Sequence, residues 1–527
     1  MEIELKLGVP ESAQRSLLRH PLLKQASGKS MARLVNIYFD TPELDLQANG
    51  IALRLRRQGR LWLQTVKCAG QGSGGLSARP EWESPYHGRF DFSVVDDEAV
   101  RHRLMSPEIL AHLTPLFETN FLRHTWRFDG AVLTLDRGYI SAGEAKEAIS
   151  EIEIELAGGE IAQLFALAEA LALKVPFVPA LRSKAERGFR LRDGAQESPT
   201  KAYDAFLDKR MAPLAAFRAI ALNCLEHLQA NHRGVLETED PEYIHQMRVA
   251  ARRFRACLRL FKPCLPADFV PALLPPLRSL MAYLGQTRDL DVLDSDIVGP
   301  VLASLPTEPR LLALSKVIID RKNQARALSQ QHLASTDFGV AMLKILSLLY
   351  KSEFLAESEL PESELPSGRQ IDQLAAGLDQ PSDDSPEPPL PQHCRATVAE
   401  FAANRLTKLR RNVRRLHAES RIDDPTTLHE LRIGIKRLRY ALEFFNQVGK
   451  GKTRRALALQ LANLQGTLGQ LNDLASAGRL LMDCAGNDPA LREAISLIAG
   501  WHGPRHTKLM RKLPKLLTTV KRMPKLA

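Results

Sequence analysis

Glu2, Glu4 and Lys6 stand two residues apart at the start of the chain, with Ile3, Leu5 and Leu7 interleaved. An extended strand sends alternate side chains to opposite faces, so the charged groups share one face and the aliphatic groups the other. The pattern returns in Glu151, Glu153 and Glu155, which alternate with Ile152, Ile154 and Leu156. Arg54 and Arg56 repeat it within residues 51–57, Glu81 and Glu83 flank Trp82, and Arg123 and Arg127 alternate with Leu122, Trp126 and Phe128. Carboxylates at spacing two repel one another unless a cation or basic side chains compensate them. They are hard oxygen donors of the kind Mg²⁺ and Mn²⁺ take, while Arg and Lys supply donors matched to phosphate oxygens. Any one of these strands fits a half-solvated antiparallel sheet. Their recurrence favours a sheet curled on itself, with the polar faces lining a lumen. A lumen holding both signs of charge suits metal-bridged polyphosphate, whose charge must be neutralised and oriented for attack.

The elements that must carry these residues are legible over the first ~155 residues as strands bounded by turns. Residues 2–7, 34–39, 51–57, 62–67, 121–128, 131–135 and 150–156 read as extended; Gln58-Gly59-Arg60 and Asp129-Gly130 read as hairpin turns. A helix follows over residues 160–174, with Leu164, Leu167, Ala168 and Leu171 on one stripe.

Taken together these residues resemble the CYTH superfamily, the triphosphate tunnel metalloenzymes. The resemblance rests on Glu2-Ile-Glu-Leu-Lys, Tyr38-Phe-Asp-Thr-Pro, Leu53-Arg-Leu-Arg, Gln64-Thr-Val-Lys, Glu81-Trp-Glu, Leu135-Asp-Arg-Gly, Glu151-Ile-Glu-Ile-Glu and Ser183-Lys-Ala-Glu-Arg-Gly, in that order. It covers roughly residues 1–195 and implies an eight-stranded antiparallel tunnel that binds a triphosphate and one or two divalent cations, Mg²⁺ or Mn²⁺. By matching motif it implies Glu2, Glu4, Glu153 and Glu155 as metal ligands. It implies Lys6, Arg54, Arg56, Lys67, Arg123 and Lys184 as the phosphate-gripping set. Glu81, Glu83 and Asp136 are further tunnel carboxylates that orient basic partners or position water; Glu151 shares the face without an assigned role. The expected chemistry is in-line attack of a metal-activated water on a terminal phosphorus, with no side chain assigned as general base.

From about Lys201 the pattern turns helical. His245, Arg248, Arg252 and Arg255 are spaced to form one helical stripe, and Met247, Ala251, Phe254, Leu258 and Phe261 a second, apolar one. The basic stripe recurs as His429, Arg432, Lys436 and Arg439, with His429 lying 184 residues after His245. Leu284-Gly-Gln-Thr-Arg-Asp and Leu468-Gly-Gln-Leu-Asn-Asp share that offset, so the helical half reads as two related bundles. Four like charges along a helix face cost stability unless acids elsewhere in the bundle or a polyanion answer them. Arg405, Lys408, Arg410, Arg411, Arg414 and Arg415 add to that demand. This half resembles the CHAD domain, a helical domain named for its recurring histidines, often found behind a CYTH domain in bacteria. The resemblance implies two pseudo-symmetric four-helix bundles whose basic surface binds long-chain inorganic polyphosphate. Between the repeats Arg288 becomes Asn472 and Arg252 becomes Lys436, so the two need not contribute equally.

The resulting organisation is α+β: a tunnel domain over 1–198 and a helical domain over 205–520. The repeats fall at about 205–350 and 393–520, with an acidic, Pro-rich linker near 353–391. A chain of 527 residues with 44% hydrophobic and 25% charged residues is globular and multi-domain. Its 72 Lys+Arg against 61 Asp+Glu, a net charge of +11, favours polyanionic partners. Aromatic residues at 6% leave the basic stripes without rings to stack on bases, which disfavours nucleic acid. Six scattered cysteines form no CxxC pair and give neither a zinc site nor a disulfide framework. No run approaches the ~18 apolar residues of a membrane span, and no signal-peptide core opens the chain. A reduced cytoplasmic location is therefore the default. The expected substrate is inorganic triphosphate. The alternatives are thiamine triphosphate or nucleotide hydrolysis, adenylate cyclisation on the same fold, or polyphosphate binding without catalysis.

Overall fold

The structure is a computed structural model that describes residues 2–351, 396–449 and 451–526. The acidic stretch at 353–391 lies outside the described residues. The chain divides into two compact units: residues 1–198 together with the segment beginning at 334, and the helical remainder.

The first unit is built on β1 (Glu2–Gly8), β2 (Gly28–Asp40), β3 (Ile51–Gln58), β4 (Leu61–Cys68), β5 (Gln71–Ser73), β6 (Leu76–Arg79), β7 (Glu81–Pro85), β8 (Thr114–Phe128), β9 (Ala131–Ala142), β10 (Ala145–Leu156) and β11 (Val178–Pro179). The antiparallel order is β5-β6-β1-β10-β9-β8-β2-β3-β4-β7, with β11 on β1. Only Pro80 separates β6, which pairs with β1, from β7, which pairs with β4. The strand therefore crosses from one end of the sheet to the other and closes it. With β6 and β7 counted as one strand and the short β5 and β11 set aside, eight strands surround the lumen.

Several strands run longer than the alternation in the sequence marks. β8 starts at Thr114 and β9 continues to Ala142, past Gly138, where the pattern breaks. A Cβ there would lie 2.6 Å from Phe121 Cβ, so glycine admits the neighbouring ring rather than ending the strand. The aliphatic faces of β1 and β10 (Ile3, Leu5, Leu7, Ile152, Ile154) are buried, and helix α1 (Ile161–Ala172) packs against both strands. Its buried stripe includes Leu164, Phe165, Ala168 and Leu171. Helix α2 (Lys184–Arg192) begins with a capping box in which Ser183 and Glu186 satisfy each other's backbone donors. That cap fixes Lys184 in the first turn.

The second unit holds α3 (Pro213–Glu237), α4 (Pro241–Phe261), α5 (Phe269–Val292) and α6 (Pro309–Leu333), then α8 (Val398–Glu419), α9 (Pro425–Phe444), α10 (Gly451–Ala485) and α11 (Pro489–Lys521). The offset of 184 maps Pro241 onto Pro425, and the aspartates before them, Asp240 and Asp424, both cap their helices. Met247, Ala251, Phe254, Leu258 and Phe261 are fully buried. Phe261 stacks on Phe401 at 4.9 Å, and Leu311, Leu314 and Ile318 share a core with Leu481 and Ile498, so the two repeats bury one another. The helix between them in sequence, α7 (Thr336–Leu349), packs on α1 and belongs to the tunnel unit.

Among the described cysteines Cys68, Cys224, Cys257 and Cys484 are free thiols. Cys264 is disulfide-bonded, which the cysteine spacing had not indicated. No single described helix is long and apolar enough to cross a membrane.

Candidate active site

The strand alternation aims Glu2, Glu4 and Lys6 of β1 into the closed sheet, where register sets Glu4 opposite Glu155 and Lys6 opposite Glu153 on β10. A cavity of about 660 Å³ lies within the tunnel unit, and Glu2, Lys6, Arg54, Arg56, Lys67, Glu81, Glu83, Arg123, Glu153, Glu155 and Lys184 all line it. Glu4 and Asp136 sit just behind this wall, buried.

The charges fall into three groups. In the first, Lys184 Nζ lies 2.5 Å from Glu151, 2.7 Å from Asp136 and 2.9 Å from Glu153. Arg123 donates to both oxygens of Asp136 at 2.8 and 2.7 Å and to Glu153 at 2.6 Å. Burial opposes the Lys184 ammonium, but Asp136, Glu151 and Glu153 outweigh it and hold its pKa above the ordinary value. Burial likewise opposes the Glu153 carboxylate, and Lys184, Arg123 and Lys6 overcome it, leaving its pKa well below the usual range. Glu151, which had no assigned role, is 2% exposed and also accepts from Arg187 at 2.8 Å.

In the second group Lys67 reaches Glu2 at 2.8 Å and Glu81 at 2.7 Å. Arg79 lies 3.3 Å from Glu2 and donates to Glu4, while Lys6 Nζ is 3.3 Å from Glu4. Glu155 differs. Its side chain is exposed near the end of β10, yet partial desolvation together with Glu2, Glu81 and Glu4 raises its pKa against the opposing effect of Lys67.

In the third group Arg54 reaches Glu81 at 3.4 Å and Arg56 reaches Glu83 at 3.4 Å. Thr65 donates to Glu83 at 3.0 Å, and Asn36 accepts from Arg56 at 3.0 Å. Arg54 also bonds Tyr38, whose hydroxyl pKa falls below normal because Arg54, with Lys184 and Lys67, outweighs burial. Arg56 is undercompensated: burial and Arg54 push its pKa down to about 10 against the pull of Glu83.

Two carboxylate groupings can be weighed as cation sites. Oxygens of Asp136, Glu151 and Glu153 lie within 4.8 Å of one another, but the Lys184 ammonium already bonds all three. That grouping is a lysine cradle. Glu2, Glu4 and Glu155 are hard oxygen donors on adjacent strands; Glu2 is held by Lys67 and Arg79 and Glu4 by Arg79 and Lys6, and the three do not form one of the described groups whose oxygens gather within 4.8 Å. Glu153, the fourth residue of the expected ligand set, is held by Arg123, Lys184 and Lys6.

Against known families, residues 1–189 match the CYTH domain and residues 219–482 the CHAD domain. The chain belongs to the CHAD family and carries a CYTH domain ahead of it. An inorganic triphosphatase of Haemophilus influenzae is 29% identical over 195 residues, 36% of this chain and 54% of that protein. The chain thus spans about half the length of the curated relative it matches. The CHAD domain from the plant Ricinus communis is 30% identical, with 63% of this chain and 99% of that one covered at a TM-score of 0.49. A Hippeastrum protein described as an adenylyl cyclase with dominant triphosphatase activity is 22% identical, with 37% and 97% covered at a TM-score of 0.30.

In the CHAD region α4 and α9 pack together. Burial and Arg252, Arg432, Arg248 and Arg439 push the pKa of Lys436 down to about 7. Both basic stripes therefore converge on Lys436. Arg248 lies 3.4 Å from Asp289, and Arg439 bonds Gln465 at 3.0 Å and Glu443 at 2.5 Å. The buried Nε atoms of Arg252 and Arg432 have no protein partner. Arg255 lies apart with Arg259, Arg278 and Arg437. His245 is half-buried beside Arg288, Glu242, Arg252 and Arg248, whereas His429 is exposed.

Sequence reasoning missed Arg79, Tyr38 and Arg187. Arg79 carried a readable signal: residues 77, 79, 81 and 83 keep one face if the strand continues through Pro80. Arg187 and Tyr38 stand in the motifs Ser183-Lys-Ala-Glu-Arg-Gly and Tyr38-Phe-Asp-Thr-Pro, but their partners depend on where α2 meets β10 and where β2 meets β3.

Proposed function

We propose that the CYTH domain hydrolyses inorganic triphosphate to diphosphate and phosphate with Mg²⁺ or Mn²⁺. The observation that carries this is a single cavity lined by both signs of charge, with Glu2, Glu81, Glu83, Glu153 and Glu155 beside Lys6, Arg54, Arg56, Lys67, Arg123 and Lys184. A simple anion site has no use for the clustered carboxylates, and a simple cation site has none for the clustered basic groups. A cation-bound polyphosphate answers both.

Glu2, Glu4 and Glu155 are the residues that would hold the cation, with Glu153 adjoining them. When bound, a divalent ion supplies charge neutralisation at phosphate oxygens and a more acidic water. The chain's own groups do the rest. Arg54, Arg56 and Lys67 grip one side of the triphosphate. Lys6, Arg123 and Lys184 grip the other, each held in place by a buried carboxylate that costs it no reorganisation. Water attacks the terminal phosphorus in line, the bond to the bridging oxygen breaks, and the basic groups absorb charge on the departing diphosphate. Glu81, Glu83 and Asp136 keep the basic residues oriented.

The test is phosphate release from inorganic triphosphate, ATP, thiamine triphosphate and long polyphosphate, each with Mg²⁺, Mn²⁺ or EDTA. Turnover indifferent to EDTA or to Glu4→Gln overturns the mechanism, and preference for an organic triphosphate overturns the substrate.

For the CHAD region the favoured reading is long-chain polyphosphate binding on His245, Arg248, Arg252, Arg255, His429, Arg432, Lys436 and Arg439. The convergence of four arginines around Lys436 supports it, since Asp289 and Glu443 answer only part of that charge and leave the rest to an external anion. Binding of polyphosphate by the full chain no tighter than heparin of equal charge overturns it.

A further inference from the structure

β6, the inner strand of the β5–β6 hairpin, pairs with β1 and so brings Arg79 to Glu2 and Glu4. The Arg79 Nε donates to Glu2 at 3.3 Å and its Nη2 to Glu4, and Ser77 of the same strand donates to Glu4 at 3.4 Å. β5 has three residues, β6 has four, and β5 ends the sheet order. β6 is held by β1 and by its continuation into β7, whereas its β5 end rests on the turn alone, so a grip on that turn adds to how firmly Arg79 is placed. The turn is Gly74-Gly75, between register partners Ser73 and Leu76, with φ of +72° and +93°. Both residues take the left-handed geometry of a tight hairpin.

The grip comes from the end of α7. Tyr350 Oη accepts from the Ser73 amide at 3.2 Å and donates to the Ser73 carbonyl at 3.1 Å. Its ring stacks on Phe165 of α1 at 5.8 Å and is 4% exposed. Leu346 lies so close to Gly74 that an added Cβ would come within 2.2 Å of its Cδ2. On the far side the Lys6 amide donates to the Gly75 carbonyl at 2.8 Å, so the same turn touches the strand that bears Glu2, Glu4 and Lys6.

The geometry points to Tyr350 as a positioning residue for the candidate cation wall: through Ser73 it fixes the β5–β6 hairpin, and through the hairpin it fixes Arg79 against Glu2 and Glu4. The inference builds on the proposed function, yet it concerns the charge balance of these carboxylates and is read out without substrate. It also places a determinant of the tunnel site beyond the CYTH match at 1–189, in a segment that follows α6 of the CHAD region directly.

The experiment uses the full chain as wild type, Tyr350→Phe, Gly74→Ala, Arg79→Ala and the double variant Tyr350→Phe/Arg79→Ala. Mn²⁺ affinity is measured by calorimetry without substrate, and amide hydrogen exchange is followed over residues 73–79. Tyr350→Phe keeps the ring and loses the hydroxyl. Exchange in the hairpin is expected to rise, and Mn²⁺ to bind about threefold more tightly, because Glu2 and Glu4 are less neutralised. Arg79→Ala gives a change of about tenfold in the same direction, and Tyr350→Phe adds nothing to it. Gly74→Ala, whose methyl has no room beside Leu346, reproduces the Tyr350→Phe shift. Faster exchange with unchanged Mn²⁺ affinity, or a shift that adds in full to that of Arg79→Ala, overturns the positioning role. The two readings fail separately. A wild-type chain that binds Mn²⁺ and shows these shifts but releases no phosphate sinks the proposed function alone. Normal triphosphatase activity with an unmoved Tyr350→Phe variant sinks this inference alone.

Discussion

Glu4 and Glu155 are register partners across β1 and β10, two carboxylates opposed on the lumen side of adjacent antiparallel strands. Directly opposed like charges destabilise a sheet unless they are compensated. Here compensation is one-sided: Glu4 is buried and answered by Arg79 and Lys6, whereas Glu155 faces Glu2, Glu81 and Glu4 with Lys67 as its counterweight. The proposed cation completes this half-balanced pair, which ties the stability of the strand pairing to the chemistry of the site.

Replacing Glu155 by Gln should therefore stabilise the metal-free protein while weakening its hold on the cation. The folded pKa of Glu155 lies above its ordinary value of 4.5, so the folded chain keeps the proton more tightly than the unfolded chain. The resulting penalty is absent below the ordinary pKa and complete once pH exceeds the raised one. Urea denaturation in EDTA at pH 7 should give a higher midpoint for Glu155→Gln and no difference near pH 3. Mn²⁺ affinity should fall about tenfold. Equal midpoints at pH 7 would contradict the charge assignment.

Lys184→Ala removes the ammonium that bonds Asp136, Glu151 and Glu153. The buried Asp136 and Glu151 and the half-buried Glu153 then each lose one cationic partner, a loss of about 3 kcal/mol. Their oxygens lie within 4.8 Å of one another, so millimolar Mg²⁺ should raise the melting temperature of the variant by more than that of the wild type, the excess recovering part of that loss. Thermal melts with and without Mg²⁺ check this.

Arg123→Lys keeps the charge and loses the fork that engages both oxygens of Asp136 as well as Glu153. Because the fork orients the side chain, the deficit should appear in triphosphate turnover, about tenfold or more, with the melting temperature changing little. A variant with wild-type kcat/KM would show that Arg123 is structural.

Lys436 gives the CHAD region a pH dependence. Burial and four arginines bring its pKa to about 7, below the ordinary 10.5. The folded chain thus binds fewer protons than the unfolded one between those values, and a polyanion that neutralises the cluster draws a proton back. Polyphosphate affinity should fall as pH rises from 6.5 to 8.5. Calorimetry at pH 7.5 in buffers of different ionisation enthalpy should detect proton uptake, and Lys436→Met should abolish it. Affinity that stays flat across this range rules the device out.

Much of this protein is legible in its sequence because both decisive patterns are local. Period-two alternation placed Glu2, Glu4 and Lys6 on one face, and the 184-residue offset marked α4 and α9 as equivalent helices with their Asp240 and Asp424 caps. Strand limits were less legible wherever a glycine such as Gly138 serves packing rather than a turn.

What the sequence alone determined is which residue types share a face, since strand and helix periodicities are properties of the backbone. What the tertiary structure decided is which charge answers which. That Lys184 sits among Asp136, Glu151 and Glu153, that Arg79 reaches Glu2 and Glu4 through a strand running past Pro80, and that Tyr350 from α7 clamps Ser73 all join residues distant in the chain. Electrostatic compensation depends on distance through space and on burial, neither of which a linear pattern carries. Glu4 and Glu155 read alike in the sequence; only the closed sheet sets Arg79 and Lys6 on the one and leaves the other among Glu2, Glu81 and Glu4 with Lys67.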